Sequence, residues 1–371
     1  MLADTTRVKA FDDAIRAVVK PGDLVLDLGA GTGILAMLAC RAGARRVYAL
    51  EAGEIGLVAK ETLKANGFGD RVELLRGRSE DIHLPERVDV IVGEIIGNVG
   101  LNEGIVGSFI DARERLLKPG GALLPRRVEV VAAPVKIPDD IRSNIEFWEH
   151  APHGLDYSRV RCFAVQQLHA VDLEPEMLLA EPKPFLAVNL RDAMDLFAEG
   201  TARYDFASSA GIEALGVWFR AELAPDQWIS NAPPNAAPSW RHGLFPLFEP
   251  MDVAAGDTIN VRLSTYNGQI WRWQSILQRP GQAELTVDHS TFAGFPLDLA
   301  KIRASDRQVA PVLSRRGEAT LRTLHGFDGY KTSEDLAEML KADYADLFPT
   351  ETSARMYVSK VVELCCRSDD A

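Results

Sequence analysis

Val25-Leu26-Asp27-Leu28-Gly29-Ala30-Gly31-Thr32-Gly33-Ile34-Leu35 decides how this chain of 371 residues is read. Leu24-Val25-Leu26 is a short apolar run of the kind that fills a parallel strand covered on both faces. Ile34 to Ala42 carries a helical apolar pattern. Between them the chain turns through Gly29, Gly31 and Gly33, a G-x-G-x-G spacing that differs from the dinucleotide fingerprint G-x-G-x-x-G. Without Cβ atoms there, a ligand can approach the backbone, and the N–H groups at the helix start stay available to its polar atoms. The spacing points to a nucleotide-like cofactor, with S-adenosyl-L-methionine (AdoMet) preferred over a nicotinamide.

Outward from that loop, strand and helix signals alternate. Strands are predicted at Arg46 to Leu50, Val72 to Leu75, Val88 to Val92 and Ala122 to Leu124. Helices are predicted at Arg7 to Val19, Ile55 to Asn66 and near Asn102 to Leu117, the last stopping at Lys118-Pro119-Gly120-Gly121. This is the pattern of an α/β, doubly wound Rossmann-like domain over residues 1–127. After Pro125, short β-branched stretches such as Val128 to Ala132, Ala214 to Ala221 and Ile259 to Leu263 predict an antiparallel β-barrel or sandwich domain over 128–305. A more helical insertion at 137–157 carries Phe147, Trp148 and Leu155, apolar surface to be buried against a second subunit or against its own barrel. Residues 306–371 read as a small helical or winged-helix-like appendage, with Leu336, Met339 and Leu340 on one helical face and Met356 to Cys365 as a further helix. Its Leu324 to Gly329 segment is faintly similar to small winged-helix peptide-recognition domains.

Composition narrows the function classes. The chain is 47% hydrophobic and 25% charged, ordinary for a soluble protein, and contains no apolar run long enough to span a bilayer. A net charge of −12 provides no general positive field for phosphate backbones, so no nucleic-acid partner and no membrane are expected, and basic partners are favoured. Cys40, Cys162, Cys365 and Cys366 show neither zinc spacing nor a disulfide framework, so no metal and a reducing cytoplasm are expected.

The candidate site residues follow from position. Glu51 ends the second strand about 20 residues past the loop, where a carboxylate can accept both ribose hydroxyls of a nucleoside, or simply be solvated. Glu80, after the third strand, is placed either toward the same crevice, accepting from an adenine amino group, or as a surface acid. Asp27, just before the glycine turn, is expected to hold the loop backbone. Glu94 and Glu103 bracket a glycine-containing loop directly after the fourth strand, at the sheet edge where ligands bind. Two carboxylates facing one cavity suit a planar, fork-shaped cation; the alternative is Glu103 capping the next helix and Glu94 on the surface.

The run Val25 to Leu35, with Val47-Tyr48-Ala49-Leu50-Glu51-Ala52, Leu84-Pro85-Glu86 and Val88 to Ile91, resembles the protein arginine methyltransferase family. So does the pair of glutamates nine positions apart and the start Met1-Leu2-Ala3-Asp4-Thr5-Thr6-Arg7, which is similar to the family's M-L-x-D-x-x-R. Phe147-Trp148-Glu149 and Gly154-Leu155-Asp156 resemble its dimerisation arm, and Trp218-Phe219 with Gly256-Asp257 its barrel; the similarity covers roughly residues 1–285. The resemblance implies a divergent, bacterial-type member that methylates an arginine guanidinium in a protein or peptide and works as a homodimer. It also implies Arg7 on the AdoMet carboxylate, Glu94 and Glu103 on the guanidinium, and Trp240 at the active site.

The chain departs from that family in three places. The aromatic helix the family places before the methionine is not seen in a sequence given from Met1, so it is either missing or encoded upstream. Pro238-Ser239-Trp240 stands where the family has Thr-His-Trp, with His242 read as a substitute reaching inward or as a surface histidine. Ile95 and Asn98 replace aromatics in the double-Glu loop. These departures leave room for a small guanidine acceptor, including free arginine, or for an inactive AdoMet-binding scaffold.

Overall fold

Five short apolar runs make a parallel sheet in the order β3-β2-β1-β4-β5, from β1 (Leu24–Leu28), β2 (Arg46–Glu51), β3 (Val72–Arg76), β4 (Val88–Gly93) and β5 (Leu117–Leu124). Every residue of β1 is buried, as expected of a central strand covered by helices. The order reverses beside β1, so the crevice at the carboxyl ends of β1 and β4 is where such a sheet binds ligands. This is a computed structural model, and it describes residues 1–234, 239–295 and 312–365.

Helices α1 (Thr5–Val18), α2 (Ile34–Ala42), α3 (Ile55–Ala65) and α4 (Ile105–Arg115) complete the α/β layer. The Asp4 side chain caps α1 by accepting from Arg7 N at 3.0 Å, and Phe11, Ala14 and Ile15 form its buried stripe. The β5 strand begins five residues earlier than predicted. Leu117 pairs with Val88 before Lys118–Gly121 loop out, and pairing resumes at Ala122 opposite Val90. Pro and Gly residues signalled the loop but hid the one-residue pairing before it.

The antiparallel layer has two sheets. β6 (Arg127–Val135), β7 (His169–Val171), β8 (Lys183–Asn189), β10 (Ala210–Ala224), β11 (Gln227–Ser230) and β12 (His242–Val253) form one, and β9 (Phe197–Asp205), β13 (Thr258–Tyr266), β14 (Ile270–Gln278) and β15 (Leu285–Ser290) the other. Their inner faces bury Phe219, Phe245, Trp271 and Trp273 in a core continuous with Leu26, Ile91 and Phe109 of the α/β layer. The insertion is helical as expected: α5 (Asp139–Glu146), single turns at Phe147–Glu149 and Pro152–Gly154, and α6 (Val160–Val165). Phe147, Leu155 and Tyr157 on it are exposed.

The chain divides into two compact units, Met1–Pro296 and Leu297–Ala371. The second, among the described residues, is α7 (Arg315–His325), α8 (Ser333–Asp343) and α9 (Glu351–Cys365) around Ala319, Leu336, Leu340, Phe348 and Val358, with no strand. The helical form of the expected appendage is therefore the one observed. The 305/306 boundary, Pro238 and Cys366 lie outside the described residues. Among those residues no helix is long and apolar enough to cross a membrane.

Candidate active site

The glycine turn takes the conformation its sequence predicts. Gly29, Gly31 and Gly33 all have positive φ, at 71°, 55° and 83°. Gly29 N and Ala30 N both donate to Leu50 O at 2.9 Å, fastening the turn to β2. Two carboxylates hold it from behind. Asp27 Oδ2 accepts from Ala36 N at 2.9 Å, and Glu51 accepts from Gly31 N (Oε2, 2.8 Å) and Gly53 N (Oε1, 2.7 Å). Asp27 is fully buried, which pushes its pKa up to about 7; the Glu51 charge adds to the rise and the Ala36 N–H opposes it.

In front of the turn lies a cavity of about 410 Å³, whose walls include Met1, Gly29, Gly31, Thr32, Ile55 and Glu94. Glu94 leaves the end of β4 and its loop folds back tightly. A Cβ on Gly29 would lie 2.7 Å from Ile95 Cγ2, so the two loops touch only because position 29 is glycine. Within the loop, Asn102 Oδ1 accepts from Val99 N at 3.2 Å, and Ile96, Val99 and Leu101 are buried. Asn98 ties it to the antiparallel layer, its carbonyl accepting from Asn231 Nδ2 at 2.9 Å and its Oδ1 from Arg241 N at 3.1 Å.

Arg7 is the centre of the polar cluster. Its guanidinium forms an ion pair with Glu94, donates from Nη1 to Ser239 Oγ at 3.0 Å, and stacks over the Trp240 ring 3.7 Å from its centroid. Trp240 in turn packs edge-on against Phe219, with centroids 4.9 Å apart. Ser239 Oγ donates to Asp4 Oδ2 at 2.5 Å. Burial lowers the Arg7 pKa to about 10, against the pull of the Glu103 and Asp4 charges. Burial also raises Asp4, but hydrogen bonds from Ser239 and Arg7 N outweigh it and hold the carboxyl below its usual range. In this cluster two buried atoms have no hydrogen-bond partner among the described residues: Arg7 Nε, a donor, and Glu94 Oε1, an acceptor. Each unmet buried group costs about 1–3 kcal/mol.

Glu103 stands in the turn before α4, two residues short of the helix start at which it was expected; Gly104 takes the N-cap position. Its side chain keeps contact with solvent, yet the protein around the carboxyl raises its pKa, with the Arg7 charge pulling the other way. Arg7 is therefore within electrostatic reach of both glutamates.

Other expectations fall differently. Glu80 is exposed on the turn Ser79–Asp81, accepts from Ser79 Oγ at 3.1 Å, and is not among the cavity's lining residues. His242 is neither at the site nor on the surface. It is buried in β12, its Nδ1 accepts from Leu173 N at 2.9 Å, and its ring lies edge-on to Trp218. Strand alternation turned position 242 into the sheet's own core. Asp4 and Ser239 had not been singled out as a pair; the capping signature at Asp4 was the only local hint.

Residues 5–125 match the family described as Ribosomal protein L11 methyltransferase (PrmA), and residues 127–276 match the Arginine methyltransferase oligomerization subdomain. Protein arginine N-methyltransferase 6 of Danio rerio is 31% identical over 283 residues, covering 72% of this chain and 80% of that protein. The chain belongs to the protein arginine N-methyltransferase family. Its activity is AdoMet-dependent transfer of a methyl group to a guanidinium nitrogen of arginine in a protein or peptide. Probable protein arginine N-methyltransferase 6 of Arabidopsis thaliana is 36% identical over 60% of this chain, a match spanning 53% of that relative. Among solved structures, Arabidopsis thaliana protein arginine methyltransferase 10 has a TM-score of 0.66 at 26% identity, over 78% of this chain and 95% of that one. The Trypanosoma brucei PRMT1 enzyme-prozyme complex with AdoHcy, at 24% identity and a TM-score of 0.68 over 78% of this chain and 96% of that one, shares the fold.

Proposed function

We propose that methyl transfer takes place in the cavity between the glycine turn and the Glu94–Glu103 loop, with Arg7, Asp27, Gly29, Gly31, Gly33, Glu51 and Glu80 as the AdoMet side and Glu94, Glu103 and Trp240 as the acceptor side. The observation that carries this reading is the complementary pair of unmet groups at one ion pair. Among the described residues, Arg7 Nε is a buried donor without an acceptor and Glu94 Oε1 a buried acceptor without a donor. A cofactor carboxylate would satisfy the first and a guanidinium N–H the second.

The residues present fit AdoMet. Gly31 faces open space where a Cβ would stand, so the backbone can be approached there, and Glu51 is already held at the loop by two N–H groups. Glu80 is the least supported member, since it lies outside the cavity lining. When bound, AdoMet supplies a methyl group activated by its sulfonium. What this chain adds is orientation. Glu94, clamped through Oε2 by Arg7, fixes the plane of an incoming guanidinium, and Glu103 takes the opposite side. The guanidinium loses one proton as the methyl is gained, and Glu103 is the acceptor we assign, because its raised pKa makes protonation less costly.

We further propose a homodimer, supported by the match to the oligomerization subdomain and by exposed Phe147, Leu155 and Tyr157 on the insertion. The reading as a divergent, bacterial-type member is supported only in its first half, by Ser239, Ile95 and Asn98; the relatives named above are eukaryotic. Free Cys40, Cys162 and Cys365 support a reducing compartment.

The test is label transfer from AdoMet to an arginine-rich peptide, its lysine-substituted twin and free arginine, with products mapped by mass spectrometry. Label on guanidine nitrogen of the arginine peptide is expected. Measurable AdoMet binding with no label on any acceptor defeats the reading.

A further inference from the structure

A second concave site lies at the opposite edge of the parallel sheet. Strand β4 enters at Arg87 and leaves at Glu94, so the amino-terminal edge around Arg87 is the far end of the sheet from the cavity described above. There a cavity of about 250 Å³ is lined by Arg87, Arg113, Lys118, Gly120, Gly121 and Arg191, among others. Four cations from four separate segments converge on one small cavity in a chain whose net charge is −12. Chance scatter of charge on an acidic protein does not favour that arrangement.

The way these cations are held matters more than their number. Arg87 Nη1 donates to Leu117 O at 2.9 Å, and Arg113 donates from Nη1 to Leu190 O at 2.9 Å and from Nη2 to Ala193 O at 2.7 Å. Carbonyl anchors fix a guanidinium without cancelling its charge. Among the described residues, two carboxylates pair with these cations: Asp89, with Lys118 at 2.7 Å, and exposed Glu114, 3.4 Å from Arg113. Asp89 is shared, since its other oxygen accepts from Leu24 N. The nearby acids Asp192 and Asp195 are engaged elsewhere, with Asn189 Nδ2 and Phe197 N. Among the described residues, the Arg191 guanidinium has no hydrogen-bond or ion-pair partner, and the residue lines the cavity from the turn after β8.

The loop that completes the cavity suits an anion. Lys118-Pro119-Gly120-Gly121 bulges out between two paired residues of β5, Gly120 has φ +77°, and a Cβ there would meet nothing within 4 Å. A ligand can therefore approach the Gly120 backbone without meeting a side chain there. Gly121 is fixed for another reason: a Cβ would fall 2.6 Å from Leu117 Cδ1 and 2.9 Å from Asp89 O. At about 250 Å³ the cavity is below the usual range of sites for drug-sized ligands, roughly 300–1,000 Å³. It fits an anionic head group, not an extended chain.

We propose that this cavity binds a phosphate group, with Arg191 and Arg87 as its principal charged contacts and Arg113 and Lys118 as its walls. Planar guanidinium forks match phosphate oxygens bidentately, and an unpartnered arginine has no interaction to lose when it turns inward. The phosphate is either free or the head of a small ester. The site is independent of the methyl-transfer assignment and stands or falls separately from it.

The experiment uses the full chain and calorimetric titration with inorganic phosphate, pyrophosphate and glycerol 3-phosphate, each against sodium chloride of matched ionic strength. Saturable binding of at least one phosphate species is expected. Tightest binding by glycerol 3-phosphate marks an ester site, and equal or tighter binding by the inorganic ions a free-anion site. Arg191→Gln should weaken it roughly tenfold, the worth of one charge-assisted hydrogen bond. Because Arg191 supports nothing else, that variant keeps its melting temperature and its AdoMet affinity. No saturable binding by any of the three, or binding unchanged in Arg191→Gln and Arg87→Gln alike, overturns the proposal.

Discussion

Ser239 and Asp4, 235 positions apart, share a hydrogen bond of 2.5 Å from the serine hydroxyl to the carboxylate. The same hydroxyl accepts from Arg7, and the same carboxylate group caps the helix that carries Arg7. A residue of the antiparallel layer thereby sets the position of the arginine that clamps Glu94. Where the family resemblance places a histidine, a serine provides the tether. A hydroxyl does not titrate near neutrality, so the tether is the same at pH 6 and pH 8.

Ser239→Ala removes both hydrogen bonds and leaves Asp4 and Arg7 partly unmet. It should destabilise the chain by about 1–3 kcal/mol and weaken AdoMet binding more than it lowers turnover at saturation. Denaturant unfolding and titration calorimetry measure the two effects. A loss confined to turnover would place Ser239 among the reacting groups instead.

Glu94→Gln keeps shape but replaces a buried charge pair with a neutral amide. Transfer should fall about a hundredfold, since a neutral amide no longer gives the guanidinium a charge-assisted acceptor in a water-poor site, a contact worth roughly 2.7–4 kcal/mol where charge develops, while AdoMet affinity stays within a few-fold. Parallel loss of both would make Glu94 a structural residue. Glu103→Gln should spare AdoMet binding too and shift the acidic limb of the rate profile, because the titrating carboxyl is gone.

Asp27 links pH to stability. Its folded pKa, about 7, is raised above the ordinary 3.8, so the folded state holds a proton that the unfolded chain releases. The stabilisation is complete below about pH 4, is lost as pH rises toward 7, and is absent above. Asp27→Asn retains an acceptor for Ala36 N and removes the charge. Unfolding free energies measured at pH 4.5 and pH 8 should converge in the variant relative to the parent; an unchanged difference would mean that Asp27 does not contribute to it.

Leu155→Glu places a charge on an exposed apolar position of the insertion, 56% accessible in the single chain. If the insertion buries that surface against a second copy, sedimentation at micromolar concentration should show the parent as a dimer and the variant as a monomer. A parent that sediments as a monomer refutes the assignment of the arm.

The α/β half of the fold was legible residue by residue. Helix α2 and the strands β1 to β4 lie within one or two residues of their expected limits, because each is a short apolar run closed by glycine or proline. The site was legible in part. Glu51, Asp27 and the three glycines could be placed because they are neighbours along the chain, and local turn geometry decides where such neighbours point. His242 was misplaced, and Glu80 was left between two placements, because exposure and facing depend on which layer packs above them.

The sequence by itself determined the parallel sheet, the glycine turn and the presence of two carboxylates after β4, since these rest on periodicity and local backbone preference. Only the tertiary structure decided that Arg7 lies against Glu94, on Trp240 and tied by Ser239 to Asp4. Those contacts join residues more than 80 positions apart, and the register of packed layers, which no local pattern encodes, brings them together. The basic cavity at the far sheet edge has the same origin. Arg87, Arg113, Lys118 and Arg191 become one site only when β4, β5, α4 and the turn after β8 have met.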